Sequence, residues 1–394
     1  MMQAPVVFVC ENNLYATATP LRTITSNPNI AARGEAYGMR SVSVDGNDVL
    51  ALAAAAEIAV SAARRGEGPT LIEARTYRHQ GHHENDPVDG VYRSEEERLN
   101  WLEFSPIERL ETALLDSDPS FEKELAAARA EVDAEMGAAA AAAIAADHPL
   151  PSSALRNVWR EPLLPELPGR SLNMTCVKNG PPMDVHTETL NWRAAVRDGI
   201  CEEFRRNKNT VYFGEGTGER GGTYQHTAGL WSEFGAERII DTGISELAFT
   251  GCSMGMAATG CRAIADTMTV DFMFEATSTL IEQAAKLRYM SNGATSVPMV
   301  MRCPAGNARS NGPHHAGAYY PIWAHCPGLI VVAPAFPADA KGLIKTALRF
   351  AEDPVIFMET KTQFDLEVRC IRCLPLSNVG RKNCCLSYLS TTQT

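Results

Sequence analysis

The chain has 394 residues, a formal net charge of −11, 45% hydrophobic and 21% charged residues. That length gives room for two or more domains with full cores, and the charge argues against non-specific binding to a nucleic-acid polyanion. No apolar stretch is long enough to span a bilayer, and the start, "MMQAPVVFVCENN", has no basic region or small-residue cleavage site of a signal peptide. Eleven cysteines in so long a chain do not read as a disulfide framework, which belongs to small secreted domains. Cys10, Cys252 and Cys261 fall in apolar or helical stretches and are expected to pack as small hydrophobes in a reduced, cytoplasmic protein.

In chain order, "VVFVC" reads as a buried strand that ends abruptly in the polar "ENNLY". In open α/β sheets ligands sit at that end of a strand. "MRSVSVDG" reads as a second strand. "NDVLALAAAAEIAVSAARRG" reads as a helix, capped by Asn47 or Asp48 and closed by Arg64 and Arg65 before Gly66. "PTLIEART" is a short buried strand leading into "YRHQGHHENDP". "FEKELAAARAEVDAEMGAAAAAAIAAD" is a long alanine-rich helix of strong intrinsic propensity.

From about Pro149 to Asp184 proline is frequent and periodicity is lost, which predicts a linker. A second alternating pattern follows. "NWRAAVRDGICEEFRRN", "EATSTLIEQAAKLRYMSNG" and "ADAKGLIKTALRFAED" read as helices, and "TVYFGEG", "VPMVMRCP", "GLIVVAPAF" and "PVIFMET" as strands. Strands alternating with helices predict parallel sheets covered by helices. The last stretch has no clear period and gathers Cys370, Cys373, Cys384 and Cys385 at a spacing that suits no common zinc module, so it reads as an irregular tail. The predicted organisation is two α/β modules, 1–148 and 188–362, with a linker over 149–187 and the tail over 363–394.

"VVFVCENNLYATATP" with "VDGNDVLALAAAAEIAVSAARRGEGPTLIEARTYRHQGHH" resembles the α component of the thiamin-diphosphate-dependent 2-oxo acid dehydrogenase E1 enzymes. "GGTYQHTAGLWSEFGAERIIDTGISELAFTGCSMGMAATG" through "HCPGLIVVAPAFPADAKGLIKTALRFAEDPVIFMETK" resembles their β component. The resemblance implies two thiamin-diphosphate-binding-type modules fused in one chain, working as a homodimer. It also implies decarboxylation of a 2-oxo acid, or cleavage of acetoin, with acyl transfer to the lipoyl group of an E2 acyltransferase. Thiamin diphosphate and Mg²⁺ are the implied cofactors. "GHHENDP" is closer to the acetoin branch than to the classical pyruvate enzyme.

The resemblance also assigns residues. Asn13 and the backbone carbonyl of Tyr15 would hold the Mg²⁺ that bridges the diphosphate, a hard ion that takes oxygen ligands. Without the resemblance, an Asn-Asn pair after a strand is turn chemistry. His82 would be the α-side histidine beside the cofactor, and His315, in "GPHHAG", its β-side counterpart, both suited to proton transfer near neutral pH. His79, His82 and His83 together could be read as a metal cluster, but their spacing is not that of a helical ligand pair. Glu246, in "DTGISE", would hydrogen-bond the aminopyrimidine ring and promote its activating tautomer. On its own, a glutamate at a helix start is a dipole-compensating surface group. Phe272 would stack on the aminopyrimidine and Ile244 would buttress the bent cofactor, although such residues in buried strands are ordinarily core.

Two departures stand beside these matches. The family's Gly-Asp-Gly, which precedes the Asn and completes the Mg²⁺ motif, is absent, and the β component's C-terminal domain does not follow "FMETK". The sequence therefore reads as clipped at both ends, and an inactive or non-catalytic chain is the alternative expectation. A nicotinamide dehydrogenase or an α/β-hydrolase is a third and poorer expectation for this chain.

Overall fold

In the computed structural model, which describes residues 3–86, 89–161, 187–308 and 311–371, the chain divides into two units, 1–148 and 149–394. The first is built on three parallel strands: β1 (Val7–Asn12), β2 (Arg40–Asp45) and β3 (Thr70–Arg75), in the order β1-β3-β2. Helix α1 (Val49–Arg64) connects β2 to β3. Its cap is Asp48, whose carboxylate accepts from the N–H groups of Leu50 and Ala51 at 3.1 and 3.0 Å. Asn47, the other capping candidate, is instead buried, accepting from the Thr76 hydroxyl at 2.6 Å and donating to the Phe104 carbonyl at 2.9 Å.

Alanines at 59, 62 and 63 let α1 lie close to the sheet. β1 is an edge strand, and its Phe8 and Val9 stay half exposed. Helices α2 (Glu95–Leu102), α3 (Pro106–Ser117) and α4 (Phe121–Ala145) follow. No residue of α4 is buried. Its alanine-rich sequence makes a helix without needing a packed face.

The second unit opens with β4 (Thr187–Asn191) and α5 (Trp192–Arg206), capped by the Asn191 side chain at 2.9 Å from the Ala194 N–H. Its main sheet contains β5 (Thr210–Glu215), β6 (Ile239–Thr242), β7 (Arg262–Asp266), β8 (Met299–Ala305), β9 (Ile330–Val332) and β10 (Val355–Thr360). All are parallel, in the order β9-β10-β8-β7-β5-β6. Helix α6 (Glu246–Ala258) follows β6, and α7 (Pro337–Phe350) lies between β9 and β10. β8 is buried at every position, as a strand covered on both faces must be.

Alternation along the strands sorts the two faces. Val211, Phe213, Met299, Met301, Ile356 and Met358 pack with Phe249 and Ala257 of α6. Tyr212, Ile264, Val300 and Phe357 pack with Trp192 and Ile200 of α5 and Ile344 of α7.

Several expectations differ from the structure, among them the buried first strand, since Phe8 and Val9 are half exposed. Residues 275–293 were expected to form one α-helix. Instead a 3₁₀ turn at Val270–Ala276 runs into a π-helical turn at Ser278–Ala284 and a short α-turn at Leu287–Met290. The Thr277 hydroxyl donates to the Phe274 carbonyl at 2.8 Å, and such local bonds compete with the regular helical ladder. Within the expected linker, residues up to 161 fold onto the second unit: the Arg160 N–H donates to Asp353 at 2.8 Å, and its guanidinium pairs with Glu352. Within the expected irregular tail, β11 (Glu367–Ile371) pairs antiparallel with β4. The remainder of the linker and tail, with Cys373, Cys384 and Cys385, lies outside the described residues. Cys252 is exposed on α6, whereas Cys303 is buried.

On the α5/α7 face a charged network crosses the sheet. The Arg302 guanidinium is bidentate to Glu359 at 2.5 and 2.8 Å and donates to the Tyr212 hydroxyl at 2.7 Å. That hydroxyl donates to Asp266 at 2.6 Å, and His226 Nε2 lies 2.5 Å from the same carboxylate oxygen. Burial alone would raise the Asp266 carboxyl, but His226, Arg302 and Tyr212 outweigh it and hold the group well below the usual carboxylate range.

Removing one partner of a buried ion pair costs about 3–5 kcal/mol, so Glu359→Gln should lower the urea midpoint strongly. A change within error would show that the pair is not what anchors the sheet. A depressed folded pKa means stabilisation that is complete above the unfolded carboxyl value, about 3.9, and is lost as pH falls towards the folded value. Asp266→Asn should therefore flatten the acid limb of stability against pH, read by denaturant titrations across that range.

Candidate functional site

Each unit places candidate residues at the carboxyl ends of its parallel strands. In the first, β1 delivers Asn12 and Asn13 to a tight turn. Asn12 is buried and donates to Glu73 at 2.7 Å, and the other Glu73 oxygen accepts from the Ala31 N–H at 2.9 Å. The Asn13 amide oxygen accepts from the Tyr15 N–H at 3.1 Å, and Leu14 between them has a left-handed φ of 71°. Asn13 thus performs the turn chemistry that short amides favour. Tyr15 is buried, with its hydroxyl 2.8 Å from Glu97 and its ring edge-on to Tyr77 and Tyr92.

His82 lies exposed on the loop after β3. Its N–H donates to Asp86 at 2.7 Å, and its Nδ1 is 3.5 Å from the Arg78 guanidinium. Arg78 also donates to the Thr17 carbonyl at 2.6 Å and to the Tyr92 hydroxyl at 3.0 Å, and that hydroxyl donates to Asp86 at 2.9 Å. One arginine therefore joins the turn after Asn13 to the loop that carries His82. Below it, Arg93 is 5% exposed and donates to the carbonyls of Arg78, His79 and Gln80 while lying over the rings of Tyr77 and Tyr92.

Burial, followed by the nearby Arg93 and Arg98, pulls the His79 pKa down. Burial pushes the Tyr77 hydroxyl up to about 12. His83 is exposed, with Nδ1 beside the Glu84 carbonyl at 2.6 Å. Among the described residues no three His, Cys, Asp or Glu side chains converge as a metal site. The histidines are thus held separately, by backbone and arginine contacts.

In the second unit Ile244, Glu246, Phe272 and His315 line one cleft of about 590 Å³. Glu215 at the end of β5, Ser245, Leu247, Met268 and Glu275 complete its wall. Glu246 is the first residue of α6 and 8% exposed, and its carboxylate makes no hydrogen bond or ion pair among the described residues. The positive end of the helix dipole favours a carboxylate there. His315 is half-buried and edge-on to Phe272 with ring centroids 5.5 Å apart, and its Nδ1 is buried without a partner. Ile244 is 77% exposed on the loop before α6. Met268, at a left-handed φ of 61°, donates its N–H to Asp266 at 3.0 Å, which ties the cleft wall to the buried network.

Glu215, Met268 and Glu275, and in the first unit Arg78, Asp86, Tyr92 and Arg93, were not singled out from the sequence. The "YR" pair that opens and closes "YRHQGHHENDPVDGVYR" was the available signal for the second group.

Residues 1–152 match the dehydrogenase E1 component family, and residues 188–365 match the transketolase pyrimidine-binding domain. The pyruvate dehydrogenase E1 component subunit beta of Rhizobium meliloti (strain 1021) is 42% identical over 187 residues, 47% of this chain and 40% of that protein. The 2-oxoisovalerate dehydrogenase subunit beta of Bacillus subtilis (strain 168) is 41% identical over 177 residues, 45% of this chain and 54% of that one. The mitochondrial pyruvate dehydrogenase E1 subunit beta of Bos taurus is 40% identical over 172 residues, 44% and 48% of the two chains. The chain spans about half the length of the curated relatives it matches. Among solved structures, a split-gene transketolase described as an inactive β4 tetramer aligns with a TM-score of 0.35 and 19% identity, over 43% of this chain and 50% of that one.

An E1-component unit followed by a pyrimidine-binding unit defines a protein of the thiamin-diphosphate-dependent class. The chain carries in one polypeptide an α-type domain and a β-type domain of the kinds found in 2-oxo acid dehydrogenase E1 proteins.

The donor set fits the cofactor unevenly. A buried, unpartnered Glu246 facing a cleft beside Phe272 and His315 suits a polar aromatic ring. The Asn13 turn supplies at most two neutral oxygens, one already accepting from Tyr15. Mg²⁺ needs six oxygens. The rest of such a shell would have to come from diphosphate oxygens and water.

Arg93→Met should loosen the His82 loop. Hydrogen exchange of the amides at 78–86 should accelerate by about tenfold or more while α1 is unchanged. Equal protection in both proteins would remove Arg93 from that role.

Proposed function

We propose that the chain acts as an E1 component that decarboxylates a 2-oxo acid and passes the acyl group to the lipoyl group of an E2 acyltransferase. The observation that carries this is Glu246, a largely buried residue whose carboxylate has no protein partner among the described residues, in a cleft at the carboxyl end of a parallel sheet. When bound, thiamin diphosphate supplies the acidic carbon and the electron sink that this bond cleavage requires.

The protein's own side chains bind, orient and move protons. Glu246 is free to accept a hydrogen bond from a ring N–H at its carboxylate and to hold the proton that is relayed there. Phe272 offers an aromatic face, and Ile244 projects an aliphatic side chain beside it. His315 carries an imidazole that can take or release a proton at the same cleft. In the first unit His82 is the second imidazole, on a loop held by Arg78, Asp86 and Arg93. The fused chain is proposed to work as a homodimer. Support for the 2-oxo acid substrate comes from relatives named for pyruvate and 2-oxoisovalerate dehydrogenases.

Calorimetric titration with thiamin diphosphate and Mg²⁺ is the first test, followed by reduction of an artificial electron acceptor with 2-oxo acids of graded length and with acetoin. Glu246→Gln should leave the circular dichroism spectrum unchanged and lower turnover by about 10²–10⁴. Wild-type turnover in that variant would sink the assignment. A wild-type chain that neither binds nor turns over would be a non-catalytic subunit.

A further inference from the structure

Among its described residues the second unit buries three lysines, and one differs from the other two. Lys341 bonds Asp198 and Glu202 and Lys345 bonds Glu202, the carboxylate pairing that a buried ammonium ordinarily needs. Lys361, directly after β10 and 3% exposed, has no ion pair among the described residues. Its ammonium donates to the backbone carbonyl of His315 and to the Thr269 hydroxyl at 3.1 Å, and lies 5.9 Å from the centre of the Tyr224 ring. Burial lowers its pKa, opposed by Asp271 nearby. A charge placed against neutral acceptors costs stability that a hydrophobic residue would not, so its position calls for another explanation.

The contacts supply one. Thr269 passes its own hydrogen to Asp271 at 2.8 Å. Asp271 accepts from the Gly317 N–H at 3.2 and 3.3 Å and from the Tyr319 hydroxyl at 3.3 Å. The backbone is therefore gripped at two points directly after the His315 Cα, at the carbonyl of residue 315 and at the N–H of residue 317. Gly317 is required for that approach, since a Cβ there would lie 2.1 Å from the Tyr319 ring and 2.6 Å from Asp271 Oδ1. The His315 ring makes no hydrogen bond of its own among the described residues and touches Phe272 edge-on. Its orientation thus comes from its backbone.

We propose that Lys361, with Thr269 and Asp271, is a positioning residue that sets the His315 imidazole in the cleft. Its meaning for catalysis rests on the functional reading above. Lys361 touches only the backbone of His315, and Asp271 and Thr269 also lie on the segment that leads into Phe272. One clamp therefore sets both sides of the ring contact.

The test uses the full chain without cofactor. Diethyl pyrocarbonate modification is followed by mass spectrometry at His315, with exposed His314 as internal reference. Lys361→Met should raise the ratio of His315 to His314 modification by about fivefold or more, with the thermal midpoint kept or raised. Thr269→Val should move the ratio in the same direction, and the double variant should exceed the larger single effect only slightly, because both act through one clamp. An unchanged ratio in Lys361→Met would overturn the proposal. So would a fall in the midpoint that exposes all histidines alike, since that marks a structural lysine only. The ratio is read without cofactor, so a wild-type chain that fails to bind thiamin diphosphate would defeat the functional reading and leave the clamp measurement standing.

Discussion

The ligand end of the second unit depends on two charges placed where water does not reach, Arg302 and Glu359. Both are fully buried, one on β8 and the other on neighbouring β10. Taking such ions out of water costs several kcal/mol each unless geometry and extra hydrogen bonds offset it. Here the guanidinium is bidentate to the carboxylate and its third nitrogen donates to Tyr212, which in turn bonds Asp266. Parallel register brings this about: Arg302 stands opposite Asp266 on one side and Phe357 on the other, so alternate residues reach the same face. The chain of contacts ends at the N–H of Met268, whose left-handed backbone forms part of the cleft wall. The electrostatics of the core and the shape of the cleft are therefore one structure.

Both histidine loops use a second device. Loops that leave the ends of parallel strands carry carbonyl groups that no neighbouring strand satisfies, and buried carbonyls need donors. In the first unit Arg93 gives its guanidinium to three consecutive carbonyls before His82. In the second, Lys361 gives its ammonium to the carbonyl of His315. The choice of cation follows the geometry: a planar fork suits a run of carbonyls, whereas a compact ammonium suits one carbonyl and one hydroxyl. In each case a cation holds the backbone near the imidazole; the His315 ring makes no hydrogen bond among the described residues, whereas His82 Nδ1 lies 3.5 Å from Arg78.

The strands with continuous apolar runs and the helices with clear caps or alanine content were legible in the sequence, whereas β4, β6, β7, β11, α2 and α3 were not singled out. Glu246, Phe272, His315 and Ile244 were legible through motifs, and the structure gathers them in one cleft. What was not legible has a common cause. The π-helical turn, the Arg93 clamp and the Lys361 contact depend on partners 13 to 46 residues away or on hydroxyl competition within a turn, and neither leaves a periodic signature. Asn13 carries both readings at once: its amide oxygen accepts from the Tyr15 N–H in a turn and keeps a second lone pair.

An unpaired buried carboxylate is a cost, and most proteins remove it by pairing or hydrogen bonding. Elsewhere in this unit that rule is kept: Glu359 has Arg302, Glu203 has Arg349, and Asp353 has Arg288. Glu246 breaks it one residue into a helix whose dipole offsets only part of the charge, about 0.3–1 kcal/mol at a surface and up to about 2 when partly buried. The hydroxyls of Thr250 and Ser253 on the same helix are also buried without partners. Unpartnered buried polar atoms also occur at Trp192, His226, Thr242 and Trp323 of this unit, so it is the missing ion pair that sets Glu246 apart among the described buried acids. That asymmetry separates Glu246 from the other buried acids of the unit more sharply than its depth does, since Glu359 is buried more completely.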